Sequence, residues 1–155
     1  MKLSAFTDYS LRVLIYLAAQ PGQRATIARI AQAFDVSENH LVKVVHFLGR
    51  QGWLATVRGK GGGIELGLAP GEIGVGAVVR ATEGGDEVAE CFGEELRCAI
   101  EPACRLRGVL REALEAFYAV LDRYTLADLA RNRHQIARIL FIEPVAAPAD
   151  AARRR

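Results

Sequence analysis

The order of segments near the N-terminus constrains this chain more than any other feature. Three apolar-striped stretches at helical spacing are followed by two short β-like runs around a glycine-rich turn. Residues 4–20 bring Phe6, Tyr9, Val13 and Leu17 to one side of a helix, which Pro21-Gly22 stops. From about Thr26, a natural N-cap, Ile27, Ile30, Ala31 and Phe34 mark one face of a second helix. Asp35-Val36 reads as a tight turn. Ser37 then caps a third helix with Leu41, Val44, Val45 and Leu48 as its apolar stripe, loosened at Gly49 and Gly52. Trp53–Val57 and Ile64–Leu68 are the β-like runs, joined by Arg58-Gly59-Lys60-Gly61-Gly62-Gly63.

Three helices and a basic hairpin are the layout of a winged helix-turn-helix. The expected fold is mainly α with a small β-hairpin, the winged domain occupying residues 1–83. A length of 155 residues, 51% of them hydrophobic, is enough to bury a core without disulfide or metal staples. No apolar run approaches the roughly 20 residues of a membrane span, because Arg12 interrupts the longest early one. Met1-Lys2-Leu3-Ser4 does not begin a signal peptide, so a cytoplasmic protein with no membrane partner is expected.

Charge divides the chain. Residues 1–70 carry a balance of +4, residues 71–104 a balance of −6, and residues 105–155 again +4. Basic blocks flanking an acidic one point to a polyanion-binding part and a separate sensing part. With the third helix's stripe turned inward, Asn39, Lys43, His46 and Arg50 lie on its solvent side. Asn suits adenine, while Lys and Arg suit guanine or phosphate. The first residues of such a helix, Ser37, Glu38, Asn39 and His40, reach deepest into a major groove. Arg58 and Lys60 on the glycine-rich tip can follow a phosphate backbone or enter the minor groove. Double-stranded DNA is the expected partner. A nucleotide phosphate loop is excluded: Walker spacing is absent, and Ile64 begins a strand rather than a helix.

Val75–Glu83 is expected to form a short helix ending at Gly84-Gly85. Farther on, Leu106, Leu110, Ala113, Phe117, Val120 and Tyr124 form an a/d seam, widened by Leu114 and Leu121, on one helix from Arg105 to about Asp128. A helix of that kind over residues 105–130 pairs with its counterpart in a second subunit; packing on its own domain is the alternative. Residues 131–155 form a C-terminal segment. Its end, from Pro144, lacks core-forming residues and is expected to be disordered.

All three cysteines, Cys91, Cys98 and Cys104, fall within fourteen residues of the acidic segment. An odd number without a secretory signal argues against a disulfide framework. Gaps of six and five residues do not match zinc knuckles, whose ligands come in closer pairs. Wider gaps can wrap an iron–sulfur cluster, which normally needs four ligands, so one is missing. Residues 84–104 are therefore a candidate cluster-binding loop. An acidic surrounding raises thiol pKa values, and a bound cluster offsets that penalty.

Phe6-Thr7-Asp8-Tyr9, the run from Ser37 to Val45, and Val57-Arg58-Gly59-Lys60-Gly61-Gly62 resemble one family. So do Val79–Glu83, Glu90-Cys91-Phe92 and Cys98-x-Ile100-x-Pro102-x-Cys104-x-Leu106. It is the Rrf-two family of dimeric winged-helix iron–sulfur repressors, within it the nitric-oxide-sensing branch, and the likeness covers roughly residues 1–130. The resemblance implies that Cys91, Cys98 and Cys104 hold a cluster of the 4Fe–4S type. One branch, which senses cluster or redox status, uses a histidine three residues after the last cysteine; Arg107 stands there and counts against it. The nitric oxide branch takes an oxygen ligand from the first helix of the partner subunit, and Asp8 occupies that position. Asp8 alone would otherwise read as an i, i+4 pair with Arg12. The implied function is a homodimer on a pseudo-palindromic operator, released by nitric oxide from detoxification genes. An iron–sulfur redox protein is the other class, but a second cysteine group and a flavin or nicotinamide fingerprint are lacking, and His40, His46 and His134 are scattered.

Overall fold

The computed structural model describes residues 2–84, 89, 92, 98–100 and 103–140. Among them the chain runs α1 (Ala5–Ala18), α2 (Ile27–Phe34), α3 (Glu38–Arg50), β1 (Leu54–Val57), β2 (Gly63–Leu66), α4 (Val75–Glu83), α5 (Leu106–Leu121), α6 (Leu126–Leu129) and α7 (Arg133–Ile139). It is mainly helical with one antiparallel hairpin, as the sequence predicts. No helix among the described residues is long and apolar enough to cross a membrane.

Local chemistry sets the boundaries. The Ser4 hydroxyl accepts from the Thr7 N–H at 3.2 Å and starts α1. The Thr26 hydroxyl does the same for Arg29 and starts α2. Between α2 and α3 the chain reverses through Asp35, the one non-glycine residue with positive φ (51°) among the described residues. A short polar side chain tolerates that left-handed geometry better than a β-branched one. The hairpin pairs Leu54 with Leu66 and Val57 with Gly63. It is slightly shorter than the sequence runs suggest, because the Trp53 N–H is still bound to Leu48 O at 3.1 Å. Ala25 exchanges two hydrogen bonds with Ile64 (3.0 and 2.8 Å), so the α1–α2 loop forms a one-residue third strand.

The main core gathers Val13, Leu14 and Leu17 of α1, Ile30 of α2, and Leu41, Val44 and Leu48 of α3 beneath Leu54 and Ile64 of the wing. It does not stop at residue 83. Leu126, Ala130 and Ala137 are buried in the same core, and Leu140 packs against it. The apolar stretch after residue 131 is thus the last wall of the winged domain. The tail from 141 lies outside the described residues.

The single helix expected from Arg105 to Asp128 is corrected here: α5 ends at Leu121, with Asp122 as its C-cap. Arg80 of α4 grips the Asp122 carboxylate with two bonds of 2.6 Å, and its guanidinium lies 4.3 Å from the centre of the Tyr118 ring. Those hydrogen bonds, ahead of a smaller opposing desolvation, hold Asp122 below the ordinary aspartate range. Thr125 then opens α6 through a capping box with Asp128. The turn docks where Val75 donates to Tyr124 O (2.9 Å) and Leu126 to Ile73 O (2.8 Å). The expected seam also divides. Leu114 and Tyr118 are buried in a second small core with Val75 and Val79, joined by Phe117 and Leu121. Leu106, Val109 and Val120 are exposed.

One polar tie joins the start of α1 to the end of α4. The Glu83 carboxylate accepts from the Ser4 N–H at 2.9 Å and from the hydroxyl of fully buried Thr7. The Thr82 hydroxyl lies 2.8 Å from that of Thr7. Desolvation pushes the Glu83 pKa up, but the bonds from Thr7 and Ser4 together outweigh it and hold the pKa below the usual glutamate value. A lowered folded pKa stabilises fully above the unfolded value and loses that contribution as pH falls through the folded one. Glu83→Gln is therefore expected to destabilise the protein by about 1–2 kcal/mol at neutral pH. The gap from the parent should narrow below pH 4 in thermal melts; a gap independent of pH would contradict this account.

Candidate functional site

The buried stripe of α3 fixes what its other face presents. With Leu41, Val44, Val45 and Leu48 inward, Glu38, Asn39, His40, Lys43, His46 and Arg50 are all exposed, as is the cap residue Ser37. Ser37 makes no side-chain cap bond, so its hydroxyl is not committed to the helix. Glu38 lies in the first turn, where an acidic side chain complements the helix dipole. His40 departs from the rest: its ring stacks on Tyr9 of α1, with centroids 6.2 Å apart and planes 21° apart. It leans toward α1 while Asn39, Lys43, His46 and Arg50 follow the outward row.

The wing tip continues this surface. Arg58 and Lys60 are exposed. Gly59 (φ 94°) and Gly61 (φ 78°) take backbone conformations that side chains rarely adopt. A Cβ on Gly62 would come within 2.4 Å of the Val57 carbonyl oxygen, so the glycines are needed to close the turn. Arg24 and Glu65, paired at 2.8 Å, brace the wing from the α1–α2 loop. Among the described residues, Lys43, Arg50, Arg58 and Lys60 form no ion pair. Four accessible cations on one helix face and its adjoining hairpin, none neutralised from within, make a surface suited to phosphates.

Asp8 lies in the first turn of α1 and is half-exposed. It is held by Arg12 through two contacts of 2.7 and 3.0 Å, the i, i+4 pair its spacing allows. The same guanidinium lies over Tyr9 (6.0 Å) and Phe34 (5.8 Å). Phe6, one turn before Tyr9, meets Phe47 of α3 edge-on at 5.3 Å. The first turns of α1 thus rest directly on α3.

Of the cysteines, Cys98 is exposed and Cys104 is partly buried two residues before α5; both are free thiols. Cys91 lies outside the described residues. Among the described residues no three His, Cys, Asp or Glu side chains are gathered around a common point. Two unpaired thiols at an exposed helix approach, committed neither to a disulfide nor to the core, are a donor set that fits a thiolate-bound cluster.

Fold and surface together define a winged-helix regulator, and comparison with known proteins places it. Residues 3–132 match the model of the Rrf2 family, described as an iron-dependent transcriptional regulator, and the chain belongs to that family. It is 51% identical over 142 residues to the HTH-type transcriptional regulator NsrR of Bacillus subtilis, covering 90% of this chain and 97% of that one. It is 46% identical over 146 residues to NsrR of Halalkalibacterium halodurans, covering 93% and 100%. These relatives are transcriptional regulators, and this protein is one too rather than an enzyme. Among solved structures, the oxidised form of Staphylococcus aureus CymR matches with a TM-score of 0.67 at 30% identity, over 84% of this chain and 96% of that one. T. potens IscR shares the fold with a TM-score of 0.69 at 23% identity, over 88% and 90%.

Because the Asp8–Arg12 pair is exposed, Arg12→Ala is expected to lower stability by no more than about 0.5 kcal/mol in urea unfolding. A loss above about 1.5 kcal/mol would mean that the stacking on Tyr9 and Phe34, and not the ion pair, is what Arg12 contributes.

Proposed function

We propose that this protein is a homodimeric DNA-binding repressor whose iron–sulfur cluster, of the 4Fe–4S type, senses nitric oxide and releases operators of nitric oxide detoxification genes. The observation that carries the DNA half is the row of unneutralised cations on α3 and the wing. The named NsrR relatives, at 46–51% identity over most of the chain, support the sensing half. So does the presence of Cys91, Cys98, Cys104 and Asp8 in this sequence.

In this reading Ser37, Glu38, Asn39, His40 and Lys43 meet the major groove, Arg50 the flanking phosphates, and Arg58 and Lys60 the backbone or the adjacent minor groove. Two copies address the half-sites of a pseudo-palindrome. The exposed Leu106, Val109 and Val120 of α5 supply the apolar face on which the copies pair. Cys91, Cys98 and Cys104 would hold the cluster, with Asp8 of the partner subunit as an oxygen donor. When bound, the cluster supplies iron that reacts with nitric oxide. Asp8 can serve it only by giving up Arg12, so the residue has two alternative partners. Through Tyr9 against His40 and Phe6 against Phe47, a shift of α1 is passed to α3. A tenfold change in operator affinity needs a coupling of only about 1.4 kcal/mol.

Protein purified without oxygen should be coloured and contain iron and sulfide. Cys98→Ser should lose the visible spectrum and at least tenfold in operator affinity; undiminished affinity would remove the mechanism. Operator release by nitric oxide but not by brief iron chelation separates this reading from a sensor of cluster supply. Lys60→Ala should weaken binding alike across sequences and lower the slope of log K against log salt by about one per half-site. An unchanged slope would take the wing off the DNA.

A further inference from the structure

The outward face of α3 carries one side chain that neither charge nor hydrogen bonding explains. Val42 is 50% exposed. The other large apolar side chains that are exposed among the described residues lie elsewhere: Leu68 at the wing base, Ile100 between Cys98 and Cys104, Ile139 at the end of α7, and the rest on α5 or just after it. Valine is a poor helix former because its branched Cβ crowds the preceding turn, and burial normally compensates. Val42 has little such compensation. It stands in the outward row between Asn39 and His46 and beside Lys43, all exposed polar residues that would surround any surface docked there.

We propose that Val42 reads thymine: its methyl groups pack on the C5-methyl of one thymine in each operator half-site. This rests on the reading of α3 as the helix in the major groove and adds a specificity-determining contact to it. The C5-methyl of thymine is the apolar mark on a base-pair edge in that groove, and apolar side chains recognise it. The neighbours fit the same surface, since Asn39 can bond adenine and Lys43 guanine or phosphate. The helical backbone confines valine to essentially one χ1 rotamer, so its methyls are presented at a fixed angle. The ring of His40 is held against Tyr9, and Asn39, Lys43 and His46 are the exposed neighbours of Val42 in the outward row.

The test uses the iron-loaded full-length protein and duplexes it selects from a random library. Each thymine is replaced in turn by deoxyuridine, which removes one methyl and nothing else. Fluorescence anisotropy should show wild-type affinity falling about fourfold per half-site at one symmetry-related thymine, the worth of one buried methyl. Val42→Ala, which favours the helix and should fold normally, should bind the thymine duplex about fourfold more weakly and ignore that same replacement. Wild-type protein indifferent to every replacement, or Val42→Ala with the wild-type pattern, would overturn the proposal. Lys43→Ala separates the two levels. If it weakens all duplexes while no methyl matters, Val42 alone is misread. If it too binds like wild type, the groove reading falls with the proposal.

Discussion

Burial of the inner faces of α1 is the constraint from which the rest follows. Val13, Leu14, Tyr16 and Leu17 are at most 3% exposed, while the Asp8–Arg12 face stays open to solvent, so α1 cannot move far without opening the core. It touches α3 through Phe6 and Tyr9, α4 through Thr7, and α6 and α7 through the main core. A close-packed interior transmits displacement because it has no slack to absorb it. A helix in that position places the turn that carries Asp8 in direct contact with α3.

Polar ties decide how that rigid centre is linked to the periphery. Glu83 binds the backbone and side chains where α1 begins, and it sits one residue before the chain leaves α4 toward the cysteines. Arg80, one turn earlier, fastens the end of α5 through Asp122. Both ties are anchored in α4. Its apolar side is shared between the two cores, Val78 in the larger and Val75 and Val79 in the smaller. The short helix therefore serves as the common footing for the DNA-facing domain, the cysteine segment and α5. The Glu83 tie is the better protected, since Thr7 is fully buried, whereas the Arg80–Asp122 pair is open to water and screened.

What the sequence revealed follows the strength of its periodic signals. The three N-terminal helices, the hairpin and α4 were legible because apolar spacing, Thr26 and Ser37 caps, and Pro-Gly and Gly-Gly stops agree at each boundary. The end of α5 was not, because the a/d spacing from Leu106 to Tyr124 continues through the break. The signal that contradicts it is Thr125-x-x-Asp128, a capping box that starts a new helix, and period alone does not weigh it. The division of the seam was hidden for a related reason. Leu114 and Leu121 read as a widening of one stripe, yet they belong to the face that packs on α4, leaving Leu106 and Val120 outside. Of the site, the α3 face and wing were legible residue by residue. The stacking of His40 on Tyr9 was not, since it joins side chains thirty-one positions apart.

Charge is divided along the chain between a basic α3–wing surface and an acidic segment that carries the cysteines. DNA presents roughly one negative charge per 1.7 Å of axis, so a −6 segment beside α3 would repel it. Screening over about 8–10 Å at ordinary salt makes separation sufficient. At the end of α4, Glu83 is turned back onto Ser4 rather than outward. The last carboxylate of α4 thereby serves to fix α1. Among the described residues, basic side chains are neutralised where acids lie near, as Arg12, Arg24, Arg80 and Arg131 are, while Lys43, Arg50, Arg58 and Lys60 on α3 and the wing have no such partners. A surface without internal pairing can exchange its water and counterions for phosphates without first breaking an ion pair.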